Sequence, residues 1–362
     1  MKYQETSELP ALGNDPFTQG DGTLPYLIRL REHTIRAVDE RGEPRRRGAA
    51  PKTPESIPDL GPPIPEVPSF DEAEEPSSWL DRLAGMLLDR DDEERLATLA
   101  SNLKANPYDF LGLSPRVARR ALSAFKLLYR YYFRVESSGH QVVPEKGGAI
   151  LAANHGGLFP FDATMAVVDV LLKVNPPRLL RSVVDRWAGT LPFVNVFYSR
   201  VGQVIGSRDN FRELLRGDQL VMVFPEGMPA VRKRAADRYV LQTFRLGFIE
   251  ESMRNRAPII PVAIVGPDDQ APILYDVAPL ARLLKLPVFP ITPTFPWLGP
   301  LGLLPYPVKY EIRYGEPFRF YEEYPPESAE DPYALRYMAE QVRRRIQEMV
   351  DQRVLARRGK VD

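Results

Sequence analysis

Beyond Val142, short apolar runs alternate with longer runs in which apolar side chains recur every third or fourth position. The short runs are rich in β-branched residues, as buried strands are, and the longer runs have the period of helices that bury one face. This alternation predicts an α/β fold with a mostly parallel central sheet flanked by helices. The predicted strands are Ala149–Ala153, Leu179–Val184, Gln203–Ile205, Leu220–Phe224, Ile259–Val265 and Lys309–Tyr314. The predicted helices are Ala163–Lys173, Asn210–Arg216, Leu241–Arg254 and Pro279–Lys285.

Four regions follow from changes in this pattern. Residues 1–75 are rich in proline and charge and lack periodicity, so we expect a mostly disordered N-terminal tail. Residues 76–135 are predicted to form a helical extension, and residues 136–330 the α/β domain. Residues 331–362 are predicted to form an amphipathic helix that packs on the domain, with Asp331 as its N-cap and proline at its first position.

The helical extension has two interpretations. Its last helix, predicted to begin after Ser114, combines aromatic and basic side chains, and such a helix can lie on an anionic membrane surface. The alternative is a helix packed on the domain with its cations in solvent. For the helix before it, the sequence predicts Asp91 as the cap, with Glu94 completing a capping box. The basic residues in question are Arg116, Arg119, Arg120, Lys126, Arg130 and Arg134.

Composition excludes several classes of function. Lys and Arg together number 48, as do Asp and Glu, so the chain lacks the positive excess of nucleic-acid-binding proteins and we expect no nucleic-acid partner. There is no cysteine, which excludes disulfides, thiolate metal ligands and cysteine nucleophiles. We expect no signal peptide, because the N-terminal residues contain no apolar h-region. We expect no transmembrane helix, because no window offers about 18 uninterrupted apolar residues. The nearest candidate, Leu286–Val308, is broken by prolines, so any contact with a membrane should be peripheral.

Candidate chemistry is concentrated where the first predicted strand ends. His155 follows that strand and Asp162 begins the next predicted helix. A neutral imidazole can accept a proton from a hydroxyl group, and a carboxylate on its other nitrogen fixes the tautomer. Gly156 and Gly157 allow a tight turn, and Pro160 suits a first helical turn. The alternative is a structural histidine beside a helix-capping aspartate.

Two further stretches carry polar side chains at strand ends. Arg208 begins a predicted helix and has the geometry to bind phosphate, although Ser207-Arg208-Asp209 is also an ordinary helix start. Glu226 and Gly227 follow a strand predicted to be central, where α/β proteins bind ligands. Glu226 can accept hydrogen bonds from sugar or glycerol hydroxyls, and Arg232 and Lys233 are suited to phosphate. The alternative for this cationic cluster is a solvated loop.

Taken in order, these stretches resemble the motifs of the glycerophospholipid acyltransferase family, which includes lysophosphatidic acid and lysophospholipid acyltransferases. That family has N-H-x4-D, then G-x4-R, F-P-E-G and V-P-I-x-P. The resemblance covers roughly residues 127–320 and rests on Asn154-His155 with Asp162, Gly202 with Arg208, Phe224–Gly227 and Ile259–Val262.

The chain also departs from the family pattern. Six residues separate His155 from Asp162 instead of four, which is similar to the subset with an H-x6-D turn. Arg208 falls one residue late, and Met-Pro-Ala-Val-Arg-Lys replaces Thr-Arg-Ser after Gly227. Arg232 and Lys233 are therefore the candidates to replace the cation that binds the acceptor phosphate.

The resemblance implies an O-acyltransferase that moves a fatty acyl group from acyl-CoA or acyl carrier protein to a hydroxyl of a glycerolipid or lysophospholipid. His155 would act as general base and Asp162 would orient it, while Arg208, Glu226 and Gly227 would position the acceptor. No acyl-enzyme, metal or other cofactor is implied, and the expected location is cytoplasmic, on the membrane surface. Two alternatives are a catalytically inactive lipid-binding protein of the same fold and a lipase or thioesterase. The absence of a G-x-S-x-G motif weighs against the second.

Overall fold

A seven-stranded sheet forms the centre of the protein. The computed structural model describes residues 79–101, 111–185, 187, 193–284 and 286–359, so the predicted disordered tail lies outside the described residues. The strand order is β1-β9-β6-β2-β5-β3-β4, and β7 and β8 form a separate antiparallel pair. The strands are β1 (Glu136–Ser138), β2 (Ala149–Ala153), β3 (Leu180–Val184), β4 (Val204–Ile205), β5 (Leu220–Val223), β6 (Ile259–Val265), β7 (Tyr275–Asp276), β8 (Pro290–Ile291) and β9 (Glu311–Tyr314).

Five neighbouring strands, from β6 to β4 in that order, are parallel to one another. β9 is antiparallel to β6, and β1 is parallel to β9. Every residue of β2, β5 and β6 is buried, because helices cover both faces of the sheet and a parallel strand then needs apolar side chains on both sides. The predicted fold class, a mostly parallel sheet flanked by helices, is confirmed.

Two apolar cores lie on the two faces of the sheet. Ile150 points into one core and Leu151, the next residue, into the other, as the alternation of side chains along a strand requires. The α-helices are α1 (Trp79–Leu87), α2 (Arg90–Ser101), α3 (Pro115–Leu127), α4 (Phe161–Lys173), α5 (Val194–Arg200), α6 (Arg208–Arg216), α7 (Met228–Val231), α8 (Gly247–Asn255), α9 (Pro267–Gln270), α10 (Ala278–Leu283), α11 (Phe320–Glu323) and α12 (Pro332–Arg358). α6, α8 and α12 bury side chains in the first core, and α3 and α4 in the second.

One predicted helix is shorter than its periodicity indicates. Leu241–Arg254 has a helical pattern, but the helix begins only at Gly247. The backbone N–H groups of the preceding residues donate elsewhere: Gln242 to a carboxylate oxygen of Glu226 and Arg245 to the carbonyl oxygen of Pro225. Because these donors are committed to other loops, the segment cannot form the first turns of a helix.

Most basic side chains of α3 form ion pairs with acidic side chains of α1 and α2. Arg119 pairs with Glu93 of α2 at 2.5 Å and Arg120 with Asp81 of α1 at 2.6 Å. The buried Lys126 ammonium pairs with the carboxylate of Asp92. These contacts favour a helix packed on its neighbours over a basic lipid-facing surface. None of the described helices has the length and apolar character to cross a membrane.

The cap of α2 differs from the prediction. Asp89 and Asp92 exchange reciprocal hydrogen bonds between side chain and backbone N–H, at 2.8 and 3.0 Å. The capping box therefore begins at Asp89 instead of Asp91. Asp92 serves two purposes at once, because the carboxylate that caps α2 also neutralises Lys126 of α3.

The extension is joined to the sheet by a buried carboxylate. Asp169 of α4 is fully buried, and its two oxygens accept hydrogen bonds from the Tyr129 hydroxyl at 2.6 Å and the Tyr314 hydroxyl at 2.7 Å. Tyr129 follows α3 and Tyr314 ends β9. One side chain thus links three elements that are distant in sequence.

Tyr314→Phe should lower the free energy of unfolding by about 1.5–3 kcal/mol, because one oxygen of the buried Asp169 carboxylate loses its donor. Urea unfolding followed by circular dichroism measures the change. Tyr337→Phe is the matched control, since that side chain is exposed on α12 and its hydroxyl can remain in water. Equal stability of both variants would show that the Tyr314 hydroxyl contributes nothing.

Candidate active site

Functional side chains meet at one edge of the sheet. His155 follows β2, Glu226 follows β5 and Asp268 follows β6, and these three strands are adjacent and parallel. The carboxyl ends of parallel strands lie at the same edge, so residues far apart in sequence are brought together there. The structure therefore gathers several of the predicted site residues at the end of the sheet where α/β proteins bind ligands.

The His155 imidazole is held by Asp162. Nδ1 of His155 lies 2.5 Å from Oδ2 of Asp162, which is fully buried in the first turn of α4. The same oxygen accepts from the backbone N–H of Gly156 at 3.1 Å, and Oδ1 accepts from that of Ala163 at 2.8 Å. A carboxylate at Nδ1 places the ring proton there and leaves the Nε2 lone pair free to accept a proton. The His155 side chain is 16% exposed, so a substrate can reach the ring.

The six-residue turn between His155 and Asp162 is supported from behind by the segment after β6. Gly157 has φ of +80°, and a Cβ there would lie 2.8 Å from the carbonyl oxygen of Pro267. Gln270 is buried beside it, donates to the carbonyl oxygen of Phe159 at 3.2 Å and accepts from the Tyr310 hydroxyl at 2.5 Å. The longer turn therefore keeps its shape through a glycine and a buried amide.

Glu226 connects the turn between His155 and Asp162 to the backbone of Gln242. Its Oε1 accepts from the backbone N–H of His155 at 2.8 Å, and its Oε2 from that of Gln242 at 2.7 Å. The carboxylate is buried, and the Lys233 ammonium lies 3.2 Å from Oε2. We expected Glu226 to accept hydrogen bonds from a glycerol-type acceptor. Its placement instead favours a positioning role, because both oxygens are already engaged by the protein.

The predicted cations occupy different surroundings. Lys233 is 4% exposed and lies between Glu226 and Asp268, whose Oδ2 is 4.0 Å from its ammonium. Arg232 donates to the carbonyl oxygen of Pro287 at 2.7 Å. Arg208 begins α6 beside β4, three strand positions from β2, which is roughly 14 Å at the usual strand spacing. Its guanidinium pairs with Glu250 at 3.0 Å.

Some residues at this edge were not identified from the sequence. Asp268 accepts from the backbone N–H of Tyr239 at 2.6 Å. Gln270 supports the turn between His155 and Asp162 through its hydrogen bond to Phe159. The only available signal was their position directly after the central strand β6. Asn154, which precedes the histidine, bonds through its side chain to both backbone groups of Ile264 and so fixes β2 to β6. Among the described residues, no group of three or more His, Asp or Glu side chains is arranged to hold a metal ion.

The charges around His155 favour the protonated form of its imidazole. Burial alone would lower the pKa of His155, but the carboxylates of Asp162 and Glu226 outweigh it, so the pKa lies above the ordinary value of 6.5. The ring of Phe224 packs on the imidazole, with 4.5 Å between ring centroids. Burial raises the pKa of Asp268, and the Lys233 ammonium opposes that rise.

Comparison with known proteins identifies relatives. Residues 134–265 match the model of the family described as Acyltransferase. The uncharacterized protein ML2427 of Mycobacterium leprae (strain TN) is 37% identical over 253 residues, which are 69% of each chain. The uncharacterized protein Rv0502 of Mycobacterium tuberculosis (strain ATCC 25618 / H37Rv) is 38% identical over 235 residues, 65% of each chain. The chain thus spans about two thirds of the length of these relatives.

A solved structure shows a more distant similarity. It is the crystal structure of the 1-acyl-sn-glycerophosphate (LPA) acyltransferase PlsC from Thermotoga maritima, at 17% sequence identity and a TM-score of 0.41. The match covers 75% of this chain and 87% of that one.

Asp162→Asn should lower the pKa of His155, because burial of the imidazole remains while the carboxylate that favours its charged form is lost. NMR titration of the imidazole C–H resonances in both proteins measures the change, with a pKa above 6.5 expected for the unaltered chain. Asp218→Asn is the control, since Asp218 is exposed in the turn before β5, at the opposite edge of the sheet. An unchanged pKa in the Asp162 variant would contradict the assigned pairing.

Proposed function

The chain belongs to the Acyltransferase family, and we propose that it moves a fatty acyl group from a thioester donor to a hydroxyl group of a glycerolipid or lysophospholipid. The observation that carries this proposal is the 2.5 Å contact between His155 Nδ1 and Asp162 Oδ2, with the ring partly open to solvent. The donor is acyl-CoA or acyl carrier protein, and no further cofactor takes part in the proposed step.

His155 acts as the general base in the proposed reaction. Its Nε2 removes the proton of the acceptor hydroxyl while that oxygen attacks the thioester carbonyl carbon. The tetrahedral intermediate then expels the thiolate, which takes the proton back from the imidazolium. Asp162 stabilises the imidazolium between these two transfers. An ester bond forms, a thioester bond breaks, and the free thiol of the carrier is the second product.

The side chains around His155 support direct transfer of the acyl group, without an acyl-enzyme. The chain contains no cysteine. Within the described part of the chain, no serine hydroxyl is hydrogen-bonded to the His155 ring. Nδ1 of that ring contacts Asp162. A lipase or thioesterase that forms an acyl-enzyme needs a nucleophile at that position. Holding acceptor and donor together in one orientation replaces that covalent step, and such orientation can contribute several kcal/mol to barrier lowering.

Glu226 fixes the position of the His155 backbone at the end of β2. The hydrogen bond from the His155 backbone N–H to Glu226 fixes the start of the turn between His155 and Asp162, which is the catalytic turn of the proposed enzyme. Lys233 neutralises the Glu226 carboxylate that accepts this hydrogen bond. In the proposed enzyme these two residues hold the base in place. The acceptor then approaches over Phe224 and the exposed edge of the imidazole.

His155→Ala should reduce acyl transfer by about 10²–10⁴-fold, the usual contribution of a general base. Release of free thiol from palmitoyl-CoA, and in parallel from palmitoyl carrier protein, is measured across a panel of lipid acceptors. His140→Gln is the matched control, because His140 lies in the short helical turn before β2, away from the catalytic edge.

Two results would redirect the proposal. An acyl group trapped on a serine during turnover would identify a lipase or thioesterase. Lipid binding without thiol release from either donor would identify a lipid-binding protein of this fold.

We also propose that the enzyme works at a membrane surface, through the apolar segment around Trp297. Residues 277–310 contain no Asp or Glu, and Trp297 and Leu301 are 77% and 70% exposed. Tryptophan and leucine side chains without nearby acidic groups are suited to the boundary between lipid headgroups and acyl chains. The basic residues of α3 that we expected to contribute are largely engaged in ion pairs, so insertion of apolar side chains should dominate.

Replacing Trp297 and Leu301 together by serine should abolish sedimentation with vesicles of phosphatidylcholine and phosphatidylglycerol. Because apolar insertion dominates, binding of the unaltered protein should survive raised salt. The control replaces Tyr333 and Leu355, which are exposed on α12, by serine. Failure of the unaltered protein to sediment with vesicles at low salt would remove the membrane proposal.

A further inference from the structure

Among the described residues of the loops after β4 and β5, Arg245 is a cation whose side chain has neither a carboxylate nor a carbonyl partner. Most of the other cations along the loops after β4 and β5 face carboxylates, as the pairs Arg208–Glu250, Lys233–Glu226, Arg234–Asp237 and Arg238–Asp269 show. Arg232 donates to a backbone carbonyl oxygen. By contrast, the Arg245 guanidinium forms no ion pair or hydrogen bond with any residue that the structure describes.

Arg245 is fixed against the turn that carries Glu226. Its backbone N–H donates to the carbonyl oxygen of Pro225 at 3.0 Å. Its guanidinium covers Gly227 so closely that a Cβ on that residue would lie 2.8 Å from Cζ. Gly227 is one residue from Glu226, whose carboxylate holds the backbone of His155. The unpaired cation is therefore coupled to the catalytic turn through a single short loop.

The position of the Arg245 guanidinium requires a glycine at residue 227. Gly227 has φ of +61°, and the absence of a side chain leaves the space that the guanidinium occupies. The Arg245 side chain is half-buried, so part of its surface remains open to a ligand. A guanidinium presents several donors in one plane and matches the oxygens of a phosphate group better than an ammonium does. Of the two candidates from the sequence, Lys233 is buried beside Glu226, and Arg232 donates to the carbonyl oxygen of Pro287.

We propose that Arg245 is the phosphate-binding residue of the active site. The inference rests on the proposed acyl transfer and names the chemistry of one substrate: a phosphate group bound beside Gly227 while a hydroxyl or thioester lies at His155. Phosphate can come from either substrate. It is present on a lysophosphatidate acceptor and on the nucleotide of a CoA donor, and the experiment separates the two sources.

The test compares Arg245→Gln with the unaltered protein on two acceptors and two donors. The acceptors are lysophosphatidate and the monoacylglycerol with the same acyl chain, which lacks the phosphate. The donors are palmitoyl-CoA and palmitoyl-pantetheine, which lacks the nucleotide. If Arg245 binds the acceptor, kcat/KM for lysophosphatidate should fall about ten- to hundredfold, as expected for loss of a charge-assisted hydrogen bond, while that for monoacylglycerol is unchanged.

If Arg245 binds the donor, the loss should appear with palmitoyl-CoA for both acceptors and disappear with palmitoyl-pantetheine. Arg245→Lys should restore part of the activity in either case, because it keeps the charge and loses the planar group. Arg254→Gln is the matched control, since Arg254 is exposed at the end of α8 and pairs with Glu250. Equal losses on all four substrate pairs, or no loss on any, would overturn the assignment.

A binding measurement separates this inference from the proposed reaction. Ligand binding by calorimetry to His155→Ala requires no turnover. Adding Arg245→Gln should weaken lysophosphatidate binding by a similar factor if Arg245 binds the acceptor, and CoA binding if it binds the donor. If the unaltered protein transfers no acyl group but Arg245 still determines lysophosphatidate affinity, the proposed reaction fails and the phosphate site stands. If transfer occurs and neither phosphate-bearing substrate depends on Arg245, the phosphate site fails and the reaction stands.

Discussion

The buried carboxylate of Glu226 is the interaction on which the arrangement of the site depends. A carboxylate removed from water is costly unless hydrogen bonds and a counter-charge replace its hydration. Here the backbone N–H groups of His155 and Gln242 supply the hydrogen bonds, and Lys233 supplies the charge. His155 follows β2, whereas Gln242 and Lys233 lie in the connection between β5 and α8 that also carries Glu226. Satisfying one buried charge therefore folds that connection on itself and ties it to the turn after β2. The position of His155, the proposed general base, thus depends on how the Glu226 charge is balanced.

The His155–Asp162 pair shows how a longer turn can give a close contact. The intervening residues do not need to be compact, because α4 presents Asp162 in its first turn and β2 fixes the backbone before His155. A longer turn needs support, and Gln270, in the short helix after β6, provides it by donating to the carbonyl oxygen of Phe159. Asp162 also accepts the N–H of Gly156, so the same carboxylate orients the ring and closes the turn behind it. Turn length and contact distance are therefore independent once both ends are anchored in regular structure.

The parts of this fold that follow from local pattern were predictable, and those that depend on distant partners were not. Ala149–Ala153 and Ile259–Val265 were predicted as strands at the bounds observed, because fully buried parallel strands are apolar throughout. The same logic placed His155 and Glu226 at strand ends. β1 was missed because Glu-Ser-Ser has no apolar alternation and is a strand only through its pairing with β9. Arg245 was missed for a similar reason: it lies in a run with helical periodicity, and its function there depends on Pro225 and Gly227.

The distribution of charge is compatible with the proposed phosphate site in a chain whose charge is balanced. With 48 cationic and 48 anionic side chains, no net field draws an anion from a distance. Selection must then be local, and pairing most of the cations of the site loops with carboxylates leaves their neighbourhood nearly neutral. In such surroundings the unpaired Arg245 guanidinium beside Gly227 would, under the proposal, distinguish a phosphate-bearing molecule from a neutral one. The apolar segment is attached to this same region, since Arg232 bonds to Pro287 and Tyr306 to the backbone of Gln270. A lipid entering from that side would pass from apolar contacts to a single charge, and that order suits an amphipathic acceptor.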